Sequence, residues 1–317
     1  MANIGLVVSE FAGIGAALEL LHVSRYLSVP VAAAGVWALV MFGSYKYAER
    51  LFLILSIAFL AYPVSAILAR PDRGAAGRQL VWPHVIANRS FLVLVVALIG
   101  TTITPYMQFY IAAAVADRGI GPAEYRAERL DTVIGCIFCN LISISIIIAT
   151  AAALTVRAPL NSAKQAAQAL EPVAGHFATD LFALGLLGAS ALAAAVVPLS
   201  TAYAASEATG SERSVSKRFG EARLFLGLFT FQVILGAAVA LIPGNLIHLL
   251  VNAQILNGLI TPILLTYILV LANRANVLGA AANSHRFRVV ATICVAGVAT
   301  LSLLVVINGL LSALGLG

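Results

Sequence analysis

The sequence predicts an all-α polytopic membrane protein with about nine transmembrane helices. Three observations predict it. The 317 residues are 61% hydrophobic and 10% charged, with mean hydropathy +1.00, whereas a soluble domain carries about 25% charged residues. The apolar residues come in runs long enough to cross a bilayer, which takes roughly 20 residues per helix. The charged residues gather between those runs.

In chain order the apolar runs lie near 3–22, 26–43, 50–69, 89–116, 131–155, 177–206, 222–242, 246–272 and 288–314. The clearest polar connectors are ARPDRGAAGRQ (69–79), ADRGIGPAEYRAERLD (116–131), SEATGSERSVSKRFGEAR (206–223) and NRANVLGAAANSHRFR (273–288). The stretch TVRAPLNSAKQAAQALEPVAGH (155–176) is mixed and has room for a short surface helix.

Loop charge sets orientation, because Lys and Arg concentrate on the cytoplasmic side. With the first run starting in the cytoplasm, the inner loops hold Lys46, Arg50, Arg118, Arg126, Arg129, Arg213, Lys217, Arg218, Arg223, Arg274, Arg286 and Arg288 of the 19 basic residues. That is the larger share, and it favours this orientation.

The same charges explain the net +6 without invoking nucleic acid, for which no recognisable basic module is present. Three cysteines make no disulfide framework. The start, MANIGLVVSEFAG, has no basic n-region of a cleavable signal peptide. Cys136 and Cys139 fit CxxC, but they lie inside an apolar run with no partner pair and read as helix packing. His22, His84, His176, His248 and His285 fall near run ends and show no metal-ligand spacing. There is no HExxH, GxSxG or phosphate-binding glycine loop, so the sequence reads as a non-enzyme with no resident cofactor.

The fourth run carries GTTITPYMQFY (100–110). Pro105 lacks an N–H and disfavours a helical Thr104, and Gly100 lowers the cost of unwinding. A break there frees carbonyl groups, which in hydrocarbon cost several kcal/mol each unless protein, water or a ligand faces them. Thr101, Thr102 and Thr104 add hydroxyls, and Gln108 adds an amide. Two readings stand: an ion site on a broken helix, or a proline kink whose threonines bond back to their own helix.

The eighth run, HLLVNAQILNGLITPILLTYILV, sets Asn252, Gln254 and Asn257 in one lipid-embedded stretch and adds a second kink at Thr261–Pro262. Such amides face a cavity, or they bond between helices and only hold them together. Glu10, inside NIGLVVSEFAGIGAALEL, is either a functional intramembrane acid or a paired structural one. Glu19 lies near the end of the same run and reads as interfacial. The small residues of FALGLLGASALAAAVVPLSTAYAA (182–205) suit close helix packing, with Pro198 as a bend.

At these residues the sequence resembles the Nramp family of divalent-metal transporters. GTTITPYMQFY is similar to the family's sixth helix, NIGLVVSEFAGIGAALEL to its third, DLFALGLLGASALAAA to its eighth, and NAQILNGLITP to its tenth. The tenth-helix glutamine matches Gln254 and the following proline matches Pro262. The resemblance implies a LeuT-like inverted-repeat fold in a single transmembrane domain (1–317). Residues 1–69 would be the remainder of the first repeat, 89–272 the second, and 288–314 an extra C-terminal helix. It also implies transport of a divalent metal ion by alternating access, with the lipid bilayer as the other partner.

The departures from the family pattern are specific. The family's metal-binding methionine falls at Thr104 and its histidine at Tyr106, and Val7 stands where an aspartate is common. A thioether suits softer metals, whereas hydroxyl and carbonyl oxygens suit Mg²⁺. These departures resemble the Nramp-related magnesium transporters, so the expected ion is Mg²⁺, with Mn²⁺ next. The expected ligands are the Thr101 carbonyl, Thr104 and Gln254. Gln108, Asn257, Tyr106 and Glu10 form a second tier along the ion pathway, and Gly100 and Pro105 make the helix break.

Against the family pattern the sequence begins at the third helix, without the first-helix DPGN motif and its carboxylate. Impaired transport is therefore expected. A non-transporting remnant or membrane interaction protein is the alternative, and a sodium-coupled organic solute carrier a further one.

Overall fold

A computed structural model of the chain describes residues 2–42, 54, 57–82, 88–117, 119–153, 163–212, 220–242, 244 and 246–313. The start of the run near 50–69, the loop cations Lys46, Arg50, Arg118, Arg213, Lys217 and Arg218, and His84 lie outside the described residues. Among the described residues all regular structure is helical.

Among the described residues seven helices are long and apolar enough to cross a membrane: Asn3–Leu20, Arg89–Ala113, Tyr125–Ala152, Ala163–Ala208, Arg223–Ala240, His248–Ala272 and His285–Leu311. Arg25–Met41 and Ile57–Leu68 are shorter apolar helices. Each expected run thus has a helical counterpart, and the chain is an all-α, multi-pass membrane protein. The second run is 17 helical residues, about 26 Å at 1.5 Å per residue, a little under the roughly 30 Å hydrocarbon core.

The helices divide between two compact units. Asn3–His84 and Phe109–Leu250 form the first, and Val85–Gln108 and Val251–Gly317 form the second. The first unit contains α1 (Ala2–Leu20), α2 (Arg25–Met41), α3 (Ala61–Leu68) and α4 (Arg73–Val81). The second contains α5 (Arg89–Thr102), and α6 (Pro105–Asp117) runs on into the first. The first unit continues with α7 (Tyr125–Ala153), α8 (Ala178–Ala208) and α9 (Arg223–Ala240). Most of α10 (Leu246–Ala272) and all of α11 (His285–Ala313) belong to the second unit. One-turn helical pieces fill 163–177 and 275–281.

In the first unit α1 is the central helix. Leu6, Val7, Phe11, Ala12, Ile14 and Ala17 are all buried, and Ser9 with them. Burial at consecutive positions means the helix is covered all round rather than along one stripe. Small residues make that cover close. A methyl added at Gly13 would run into the Ser190 hydroxyl on α8, and one added at Gly236 on α9 would lie 3.2 Å from the Val7 carbonyl carbon. Outside α1, α8 packs on α9, and α9 on α2, where Trp37 Nε1 donates to Thr230 Oγ1 at 3.0 Å. A second cluster joins Tyr62 and Ala66 of α3 to Ala149 of α7, and Ser65 Oγ donates to Ala169 O at 2.6 Å.

Helix ends follow local chemistry. Asp72 and Asn88 cap α4 and α5 by accepting from Ala75 N and Phe91 N. α1, α6 and α8 end in the same way, on a left-handed residue at His22, Gly119 and Gly210. The next residue's N–H returns to the carbonyl five back: Val23 to Leu18, Ile120 to Val115, and Ser211 to Ser206.

Candidate ion site at the helix break

The second unit contains the break. α5 ends at Thr102, Ile103 and Thr104 are not helical, and α6 starts at Pro105. Proline suits a first helical position because that N–H has no helical partner anyway. The same missing N–H leaves the Thr101 carbonyl without the donor that an unbroken helix would supply.

Two glycines place α10 against this segment. A methyl at Gly100 would run into Gln254 O and Gly258 N and stand 2.9 Å from Gly258 Cα. A methyl at Gly258 would run into Val96 O, with the Val96 carbonyl carbon at 2.9 Å. The two backbones therefore touch, which only residues without a Cβ permit.

That approach brings Thr261 to the break. Its hydroxyl lies 2.9 Å from Ile103 O and 2.8 Å from Asn257 O, and its one proton is shared between them. A carbonyl exposed by the break is thus satisfied by a neighbouring helix. The second proline is answered similarly. Pro262 cannot donate to Gly258 O, and Ser302 Oγ of α11 donates to that oxygen instead, at 3.0 Å.

Around this framework, Asn257 is fully buried, and its Nδ2 donates to Gln254 Oε1 at 3.3 Å. Asn257 Oδ1 has no partner. Thr104 is 6% exposed, and its hydroxyl is also buried without a partner. Two unsatisfied buried oxygens are costly in a low-dielectric interior unless something polar meets them.

The other sequence candidates divide. Tyr106 is buried, Gln108 and Gln254 are half-buried, and Thr101, Thr102 and Asn252 are exposed. Thr102 bonds back to Leu98 O at 2.8 Å, as the kink reading expects of these threonines. Glu10 belongs to the first unit, where its carboxyl is hydrogen-bonded by Ser190. Cys136 and Cys139 are exposed free thiols on α7, and His22, His176, His248 and His285 all lie at helix ends. Among the described residues no three His, Cys, Asp or Glu side chains gather as a metal cluster. Sequence reasoning saw Thr261 only as part of a kink and missed Ser302. The usable signal was a hydroxyl residue in an apolar helix of a chain whose prolines must leave carbonyls unpaired.

Residues 1–308 match the family model described as Nramp, natural resistance-associated macrophage protein-like. The chain belongs to the Nramp family. Its similarity to curated relatives is distant. It is 21% identical over 239 residues to a divalent metal cation transporter MntH of Clostridium acetobutylicum, covering 73% of this chain and 53% of that protein. A protein of the same name from Agrobacterium fabrum is 27% identical over 59% of this chain and 44% of its own length. One from Yersinia enterocolitica is 26% identical over 43% and 34%. The chain spans about half, or less, of the length of the curated Nramp relatives it matches.

Proposed function

We propose that this Nramp chain carries a divalent metal ion across the plasma membrane by alternating access, with the ion seated at the α5–α6 break. The observation that carries this reading is the pair of buried oxygens without partners, Thr104 Oγ1 and Asn257 Oδ1, in the segment where Thr261 already ties down Ile103 O. The relatives are named as divalent metal cation transporters, which supports the class of cargo.

In this reading the Thr101 carbonyl, Thr104 and the Gln254 amide oxygen hold the ion. Gln108 and Asn257 hold water bound to it, and Tyr106 and Glu10 lie along its pathway. The broken helix moves against the scaffold helices, in a chain whose residues 1–69 are the remainder of the first inverted repeat and 89–272 the second. All the proposed ligands are neutral oxygens, which suits a hard ion that keeps several of its waters, so Mg²⁺ is preferred and Mn²⁺ comes next.

The test is uptake of Mg²⁺ and Mn²⁺ into proteoliposomes, read by internal fluorescent indicators with internal pH followed in parallel. Both metals should enter, slowly because transport by this chain is impaired, with Mg²⁺ in preference and without acidification. Thr104→Met should shift the preference toward Mn²⁺ by about tenfold, equivalent to 1.4 kcal/mol of differential binding. Thr261→Val should slow both ions alike, since it removes a donor worth about 1 kcal/mol from the break without changing a ligand. An unchanged ion preference in Thr104→Met overturns the ligand assignment. Failure of both metals to enter overturns transport by this chain.

A further inference from the structure

One side of α7 is polar where lipid would favour an apolar one. α7 packs on the first unit through its second half, where Ser145 and Ala149 are buried and Ala149 joins Tyr62 and Ala66 of α3. At 3.6 residues per turn, Cys136 comes about two and a half turns before Ser145, on the opposite side of the helix. Thr132, Cys136 and Asn140 follow one another along that side at four-residue intervals, and all three are exposed. Ser143, half-buried, continues the row.

Asn140 decides what the row can do. It lies near the middle of the 29-residue helix, about 20 Å from either end at 1.5 Å per residue, so a bilayer places it deep in hydrocarbon. Thr132 and Ser143 satisfy their hydroxyl protons within the helix, on Glu128 O and Cys139 O. Asn140 has more to satisfy. Its Nδ2 gives one proton to Cys136 O at 2.8 Å, and the second proton and Oδ1 have no partner among the described residues. An amide left unpaired in lipid is costly, and a hydrogen bond to a neighbouring helix relieves it.

The chemistry of the row selects that neighbour. An amide carries a donor and an acceptor together, so it is its own complement. Two copies inserted in one membrane run in the same direction, and a two-fold axis along the membrane normal brings equal heights of α7 together. Asn140 then meets the second copy's Asn140, each Oδ1 accepting from the other Nδ2. At the start of α7, Glu128 and Arg129 are adjacent, and neither forms a salt bridge among the described residues. The same axis sets each Arg129 beside the other copy's Glu128. The short side chains of Thr132 and Cys136 let the two backbones come close.

We propose that the Thr132–Cys136–Asn140 face of α7 is a homodimer interface, with two copies packed in parallel and their Asn140 amides bonded across the two-fold axis. Cys136, at the centre of the row, lies nearest the axis and faces its own counterpart.

The test uses the full chain in liposomes, with energy transfer between copies labelled at the C-terminus and copper-phenanthroline oxidation in parallel. Energy transfer should report a dimer that separates as the protein is diluted with lipid. Oxidation should join two copies by a disulfide, which requires Cα atoms about 4.4–6.8 Å apart. Cys136→Ala should abolish that crosslink, whereas Cys139→Ala and Cys294→Ala should keep it. Asn140→Leu leaves the contacts of the single copy intact and should raise the dimer dissociation constant about tenfold, the worth of an amide bond between membrane helices. Asn140→Gln, which keeps the amide, should pair nearly as tightly as the wild type. A monomer at every protein density means that lipid or another helix takes this face, and it overturns the proposal. So does a dimer undiminished in Asn140→Leu, or a crosslink that depends on Cys294 in place of Cys136.

Discussion

Two helices of this chain invert a common expectation. Asn3–Leu20 has mean hydropathy 1.4, and 61% of it is buried. His285–Leu311 has mean hydropathy 2.6, and 6% of its most apolar 18-residue stretch is buried. The greasier helix is the more exposed one. In water the apolar side chains would drive burial, but a leucine gains little by leaving lipid for protein. Residues that lose by facing lipid, or that permit close backbone approach, decide which helix goes inside. α1 has Ser9, Glu10 and Gly13 on one stretch, with Ser190 and Gly236 meeting it from α8 and α9. α11 has Ser302, its one buried residue among those described, bonded to Gly258 O.

The strongest way to break this comparison is a matched pair of glycine substitutions. Gly236→Leu forces a side chain into the Val7 side chain and against its carbonyl carbon and should cost about 3 kcal/mol, read by unfolding in mixed detergent micelles. Gly297→Leu on α11 meets open space and should stay within about 0.5 kcal/mol of the parent. Equal losses would mean that α1 and α11 are held alike. Next in size is Ser190→Ala, which leaves Glu10 without its donor and should cost about 1–2 kcal/mol in the same titration. The smallest effect sharpens the exposed side of the comparison. Ser302→Ala frees only Gly258 O and should cost about 0.6–1 kcal/mol, the range of a single hydrogen bond between membrane helices. A loss as large as that of Gly236→Leu would make α11 a core helix despite its exposure.

The helical runs and the break were legible in the sequence because both rest on local chemistry, although seven described helices rather than nine are long enough to span. Runs of apolar residues fix the spans, and the proline at 105, with no N–H to give, fixes the end of α5 wherever the chain places it. The amides of Asn257 and Gln254 were legible as an interior cluster, and they do bond each other. Their separation from Asn252, which is exposed, was not legible, because it depends on which face of α10 meets α5. That face is set by Gly100 against Gly258, a pairing across more than 150 residues that no local pattern encodes. The roles of Thr261 and Ser302 follow from the same register. Each hydroxyl is ordinary until the helix beside it presents a carbonyl that has lost its donor.

The bond from Thr261 to Ile103 O spans 158 residues of sequence, and that separation is also an interval of time. Synthesis at roughly 5–20 residues per second puts about 8–30 s between the appearance of the carbonyl and of the hydroxyl that satisfies it. Throughout that interval the carbonyl has no Thr261, and lipid offers it nothing. The newborn α5–α6 segment is therefore best kept beside water, at the insertion machinery or the bilayer surface, and it settles only when α10 follows. The order of assembly is written into the break. The helix that a transporter would bend to move its cargo is also among the last to be at home in the membrane.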